Sequence, residues 1–195
     1  MGQITEKFSP SITNLIRMDH SHVLTTFHQY EMDSSPRTKQ ALVASICMAL
    51  EIHAQLEEEI FYPAMRSVGR DMETLDKSPR EHDEMRELIA TLRSMEPTDH
   101  LYDQTVMELM RTVMHHVADE ETILLPDAEV VLSDRLGELG MEMTKRRLQL
   151  SAPKMGEMAI NTMRGMPATS MVLAAGAVLA GTYLFRRNAQ HTRWH

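Results

Sequence analysis

His53-Ala-Gln-Leu-Glu57-Glu58-Glu59-Ile60-Phe61-Tyr62-Pro63 returns 63 residues later as His116-Val-Ala-Asp-Glu120-Glu121-Thr122-Ile123-Leu124-Leu125-Pro126. Both copies read His-x-x-x-Glu-Glu-x-Ile-x-x-Pro. On a helix, residues four apart lie one turn apart on the same face. Each copy therefore aims an imidazole and a carboxylate in one direction. A single His/Glu pair at this spacing is common on a solvated surface, but two copies with matching flanks imply a two-fold site.

The repeat reaches further back. Asp19-His20 precedes the first copy and Glu81-His82 precedes the second, at an offset of 62. His20 lies 33 residues before His53, and His82 lies 34 before His116. The unit is an acid-His pair on one helix and His-x-x-x-Glu on the next, used twice. A period of this length fits a hairpin of two long helices.

Punctuation and periodicity supply the rest of the bundle. Ser9-Pro10 reads as the cap and first residue of a helix carrying Ile12, Leu15, Ile16, Val23 and Phe27. Ser34-Ser35-Pro36 opens a second, with Leu42, Ile46, Leu50, Leu56 and Ile60 on its apolar stripe, passing Pro63 and ending near Gly69. Ser78-Pro79-Arg80-Glu81 has the form of a capping box and predicts that a third helix starts there. Pro97-Thr98-Asp99 separates it from a fourth, with Val106, Leu109, Val113 and Ile123. Ser133 is expected to cap a fifth, shorter helix bearing Leu136, Leu139 and Met143. No stretch reads as a strand. The fold class is all-α: an up-down-up-down four-helix bundle over residues 1–150 with a short fifth helix.

His53 and Glu57 differ by only about 40° around the helix axis, as do His116 and Glu120, so each pair can face the bundle interior. His20 and His82 come from the other two helices. Taken singly, each is most simply a core histidine. Six such groups at one level are costly to bury, because an unpaired carboxylate or imidazole loses its hydration. Divalent metal resolves the conflict. Donors of nitrogen and oxygen without sulfur disfavour Cu(I) and iron–sulfur clusters. The set is too nitrogen-rich for magnesium or calcium and too large for one tetrahedral zinc. Two metals fit: His20 and His53 on one, His82 and His116 on the other, Glu57 and Glu120 bridging.

These residues resemble the hemerythrin-like, or HHE cation-binding, family, whose pattern H…HxxxE…H…HxxxE is met at His20, His53/Glu57, His82 and His116/Glu120. The resemblance spans roughly residues 11–147 by the extent of the helical pattern. It implies two iron ions, with a bridging oxo or hydroxo group, that handle O2, NO or peroxide; manganese and zinc accept the same donors. The oxygen-carrying members have a second His one turn after the third-helix His, where this chain has Arg86. They also use Asp at i+5 on the fourth helix, where this chain has Glu at i+4. One fewer nitrogen ligand opens a position on the second metal. Sensing, storage or scavenging, or peroxide-consuming redox catalysis, is then expected before long-lived oxygen carriage. An interaction module stabilised by metal is the remaining alternative.

Composition bounds the other classes. A formal net charge of −8 gives no general attraction to nucleic acid. Cys47 is the only cysteine, so there is no internal disulfide and no thiolate cluster. The 18 methionines read as flexible core filler. His22 and His115 point away from the ligands, and Asp119, Glu58, Glu59 and Glu121 read as solvated faces; orienting a His is the secondary reading for Glu58 and Glu121. Between Arg164 and Arg186 the chain is uncharged. Residues 166–187 read as a membrane-spanning helix ending in Tyr183, Phe185 and Arg186-Arg187. Small residues spaced four apart within it suit self-association into a homo-oligomer. Residues 151–165 are then a linker and 188–195 a basic tail. With no apolar run at the N-terminus, the expectation is a cytoplasmic bundle tethered to a membrane.

Overall fold

A computed structural model of the chain describes residues 10–69 and 73–154, together with 156, 160 and 161. Helix α1 covers Ile12–His28. Helix α2 covers Pro36–Leu56 and continues without interruption through a π-turn, Glu57–Phe61, into a short helix, Tyr62–Ser67. Helix α3 covers Glu73–Ser94. Helix α4 covers Tyr102–Asp119 and continues through a second π-turn, Glu120–Leu124, into Leu125–Val131. Helix α5 covers Leu136–Ser151 and runs into a 3-10 turn, Ala152–Lys154. There is no strand among the described residues.

The topology follows from which ends share a core. One apolar cluster joins Ile12 and Ile16 at the start of α1 to Ile52 and Leu56 at the end of α2. It also holds Leu75 at the start of α3 and Leu124 and Leu125 beyond the end of α4. The other cluster joins the opposite ends: Phe27, Leu42, Ile89, Leu92, Val106 and Leu109. Consecutive helices are therefore antiparallel, up-down-up-down, as short connections favour. Helix α5 packs across α1 and α2. At the crossing, a Cβ on Gly140 would collide with the Pro10 carbonyl oxygen and stand 3.1 Å from the Ile12 nitrogen, so only glycine permits this approach.

Several boundaries differ from those the sequence suggests. Ser11, not Ser9, caps α1: its hydroxyl accepts from the Asn14 N–H at 3.2 Å, and Pro10 precedes the helix. Ser35 caps α2 with Pro36 at N1, as expected. Ser78-Pro79 does not begin α3 but lies inside it. Pro79 has no N–H for the Leu75 carbonyl four residues back. Arg66 Nη2 lies 3.4 Å from that carbonyl and takes the missing donor's place, while the Ser78 hydroxyl donates to the Thr74 carbonyl at 2.9 Å. Ser133 is not a cap either. Its hydroxyl donates to Asp134, and α5 begins at Leu136 without a side-chain cap. At 16 residues α5 is nearly as long as α1.

The two π-turns are symmetry-related. Pro63 and Pro126 follow the two glutamates at the same distance, and each lacks a donor and crowds the carbonyl four residues earlier. The helix widens there: Tyr62 N–H reaches back five residues to the Glu57 carbonyl, and Leu125 N–H to the Glu120 carbonyl. Gly69, at φ +72°, ends the extension of α2 in the left-handed conformation typical of helix stops.

The candidate membrane helix 166–187 and the tail 188–195 lie outside the described residues, as does Ser9. Of the expected linker 151–165, residues 152–154 form the 3-10 turn, residues 156, 160 and 161 are helical, and Asn161 is buried. No helix among the described residues is long and apolar enough to cross a membrane.

Candidate metal centre

Between the two apolar clusters lies a polar layer. His20, His53, Glu57, His82, His116 and Glu120 are all buried, with Glu57 and Glu120 at 0 % exposure. One donor atom from each of His20, His53, Glu57 and Glu120 lies within 4.8 Å of the others, and the same holds for Glu57, His82 and His116. Glu57 belongs to both groups. Glu120 also faces both, with Oε2 3.4 Å from His20 Nε2 and 3.6 Å from His116 Nε2. All six sequence-predicted donors therefore converge, in the pairs His20/His53 and His82/His116.

Each imidazole is held from behind by a carboxylate. His20 Nδ1 lies 3.0 Å from Glu121, His53 Nδ1 3.4 Å from Asp19, His82 Nδ1 2.9 Å from Glu58 and His116 Nδ1 3.1 Å from Glu81. A carboxylate accepts, so Nδ1 carries the proton and donates, and Nε2 is turned inward. The pattern obeys the repeat. The acid preceding the first His of each hairpin serves the second His of that hairpin. The second Glu of each HxxxEE motif serves the first His of the other hairpin.

Three of these four carboxylates are themselves held by cations. Arg147 of α5 grips Asp19 through both oxygens at 2.6 Å. Arg86 grips Glu58 at 2.8 Å through both oxygens and also reaches Asp83. Lys77 bonds Glu81 and Asp119, each at 2.7 Å. Arg86 therefore points away from the interior. Glu59 pairs with Arg146 outside the bundle, and His22 and His115 are exposed.

The inner geometry suits a cation. His82 Nε2 and His116 Nε2 stand 3.2 Å apart. With both Nδ1 protons committed outward, two lone pairs face each other unless a positive charge lies between or beside them. Around them, His20 Nε2, His53 Nε2, Glu57 Oε1 and Glu120 Oε2 are buried without hydrogen-bond partners. Unsatisfied groups of this kind are rare in folded proteins because each costs its hydration. The acid–base balance points the same way. Burial lowers the His116 pKa, but the Glu120 charge, the nearby Glu57 carboxylate and the bond to Glu81 outweigh it and push it up to about 10. His20 and His82 are likewise raised, against burial, by the same inner carboxylates. Burial raises Glu57, but the surrounding imidazoles leave it well below its usual range. Protons on these rings supply positive charge in the place where a bound metal ion would supply it.

Sequence reasoning missed Tyr62. It is fully buried and takes the place that Leu125 holds in the second copy. Its hydroxyl lies 2.8 Å from Glu120 Oε1, 3.1 Å from Glu57 Oε2 and 3.4 Å from His82 Nε2. Burial first, then the Glu57 and Glu120 charges, hold it well above the usual phenol pKa, so it is a neutral donor. On a regular helix, position i+5 points about 140° from position i. The π-turn brings it back over Glu57. The mismatch between otherwise matching copies was the available signal.

Residues 11–171 match the hemerythrin HHE cation-binding domain, and the chain belongs to that family of cation-binding helical domains. A solved hemerythrin HHE cation-binding domain protein of Mycobacterium kansasii, a homologue of Rv2633c, has the same fold. Its TM-score is 0.61 at 18 % identity, over 80 % of this chain and 99 % of that one. A DNA nickase of Nostoc sp. (strain PCC 7120 / SAG 25.82 / UTEX 2576) is 31 % identical over 122 residues, 63 % of this chain. The chain spans only 34 % of that relative's length.

Proposed function

We propose that the bundle holds a pair of iron ions and binds a small oxygen- or nitrogen-containing molecule (O2, NO or peroxide) for sensing, storage or scavenging. The observation that carries this is the gathering of four outward-anchored imidazoles and two wholly buried carboxylates into two adjoining donor groups that share Glu57. His20 and His53 would hold one ion, His82 and His116 the other, and Glu57 and Glu120 both. Bound there, iron supplies reversible ligand binding and one-electron redox chemistry. The protein's own part is orientation and exclusion. Asp19, Glu58, Glu81 and Glu121 fix the rings, and the apolar clusters on either side keep bulk water away.

A second reading has a specific observation behind it. The Tyr62 hydroxyl sits inside the site as a hydrogen-bond donor. A positioned donor suits proton delivery to a reduced oxygen species, hence peroxide consumption. Purified protein, assayed for metal and by optical spectra with and without air, separates these readings. A spectrum that reverses on deoxygenation supports binding. Peroxide turnover lost in His53→Ala supports catalysis. Thermal stability and absorbance indifferent to iron would refute both.

The largely apolar run 166–187, uncharged up to Arg186-Arg187, would tether the domain to a membrane and permit self-association, and cell fractionation of the full chain against one ending at 165 tests this. Nicking of DNA belongs to the Nostoc relative, two-thirds of which has no counterpart here, and a net charge of −8 gives this chain no general electrostatic attraction to DNA.

A further inference from the structure

The four acids behind the rings are not held alike. In the second pair both cations come from α3 itself: Arg86 grips Glu58 behind His82, and Lys77 bonds Glu81 behind His116. In the first pair, Glu121 behind His20 has no cation partner among the described residues. Asp19 behind His53 has Arg147, which lies 128 residues away in sequence, on α5. The repeat supplies the reason. At the offset of 62 that relates α1 to α3, Lys77 and Arg86 correspond to Leu15 and Leu24. Both leucines are partly buried against the apolar clusters. Helix α1 therefore carries no cation at either place, and the first half takes its one from outside the repeat.

The borrowed grip is a firm one. Arg147 meets Asp19 with two bonds of 2.6 Å to separate oxygens, the geometry in which a guanidinium fixes the plane of a carboxylate as well as its place. The Asp19 side chain is only 17 % exposed, so solvent screens the pair in part. The neighbouring Arg146 reaches Glu59 on the outside, where a pair contributes little. Leu139, Gly140 and Met143 seat α5 in the core, and Arg147 follows Met143 by one turn. Beyond it the chain goes on into residues 155–195. Arg147 thus stands between the apolar seat of α5 and the rest of the chain.

We propose that α5 latches one half of the metal centre. Arg147 is a positioning residue: through Asp19 it fixes the His53 ring, and so sets how long an ion stays with His20 and His53. The ion at His82 and His116 does not depend on it, because α3 supplies its own cations. The inference rests on the proposed function for the two ions, but not for the hold on the ring. Without Arg147, Asp19 is free to turn to solvent, and the His53 ring loses the acceptor that keeps Nδ1 protonated and Nε2 inward. The two ions then leave at different rates, and movement of the C-terminal end of α5 is felt at His53 before any other ligand.

The full chain loaded with zinc and challenged with excess coloured chelator reads this as two release phases. At unchanged circular dichroism, Arg147→Ala is expected to speed the release of one ion by about tenfold or more and to leave the other within about twofold. Arg147→Lys keeps the charge but not the two-bond grip, and is expected to fall between. Lys77→Ala is expected to speed the other ion, so that the double variant loses both quickly. Arg17→Ala breaks a pair with Glu129 that touches no acid behind the rings, and is expected to change neither phase. Both ions leaving together in the parent would overturn the proposal. So would Arg147→Ala moving both phases alike or neither, or Lys77→Ala moving the same phase as Arg147→Ala. The metal-free chain gives a second readout. Exchange of the His53 Nδ1 proton, followed by NMR of nitrogen-labelled histidine, is expected to quicken several-fold in Arg147→Ala while that of His116 is unchanged. Equal His53 exchange in parent and variant would also overturn the latch. A parent that takes up no zinc would instead strike the proposed function, leaving the proton exchange to judge the latch.

Discussion

Raising the pH is expected to weaken the metal-free protein while the metal-loaded one holds. His82 and His116 face each other at 3.2 Å, and without metal a proton must relieve that contact. The His116 pKa is pushed up to about 10, burial being outweighed by Glu120, Glu57 and Glu81. A native pKa above the unfolded value of about 6.5 stabilises the fold fully below pH 6.5, and that contribution fades as pH climbs toward the native value. Within the window the loss is about 1.4 kcal/mol per pH unit, so about 3 kcal/mol between pH 7 and pH 9. His20 and His82, also raised, act in the same direction. The depressed Glu57 reflects the same attraction and is not added again. A domain of this size loses roughly 2–4 °C of Tm per kcal/mol, so the metal-free Tm should fall by roughly 6–12 °C. Metal must displace those protons, so its affinity rises over the same range. Calorimetric melts at pH 7 and 9 at fixed salt, with chelator or with zinc, give the comparison. A metal-free Tm that is flat or rising, or two forms that shift together, would refute the reasoning.

Arg147→Ala removes the clamp on Asp19 behind His53 and should weaken metal retention by about 10–100-fold, read by competition with a chelator, with little change in helix content. Tyr62→Phe leaves its carboxylate partners without their donor; a cost of about 1–3 kcal/mol is expected in metal-free melts, and a shifted visible spectrum in the iron form. Gly140→Ala drives a methyl into the Pro10 backbone and should cost about 1–3 kcal/mol by denaturant midpoint, without changing metal stoichiometry.

The six inner donors were legible because a repeat carries them: position in the unit fixed helix, face and level together. The orienting acids were half legible. Glu58 and Glu121 stood out as neighbours of the motif, whereas Asp19 and Glu81 were visible only as companions of His20 and His82. Their partners lie on other helices, at 34 and 35 residues' separation, which no local pattern reveals. Helix starts were harder. Ser78-Pro79 has every mark of a beginning, yet the helix runs through it because Arg66, from another element, covers the carbonyl that proline abandons. Tyr62 was hidden by an assumption of uniform helical pitch, which the π-turn breaks.

The crosswise pairing of the two hairpins bears on how the halves assemble. Glu58 of the first hairpin steadies His82 of the second, and Glu121 of the second steadies His20 of the first. Neither hairpin could assemble a finished site alone, yet each encodes a full half. Two identical chains of the first hairpin, joined about a two-fold axis, would supply every one of these contacts. One hairpin design used twice is thus sufficient for the paired contacts, and Tyr62 and Arg86 are where the two halves depart from it.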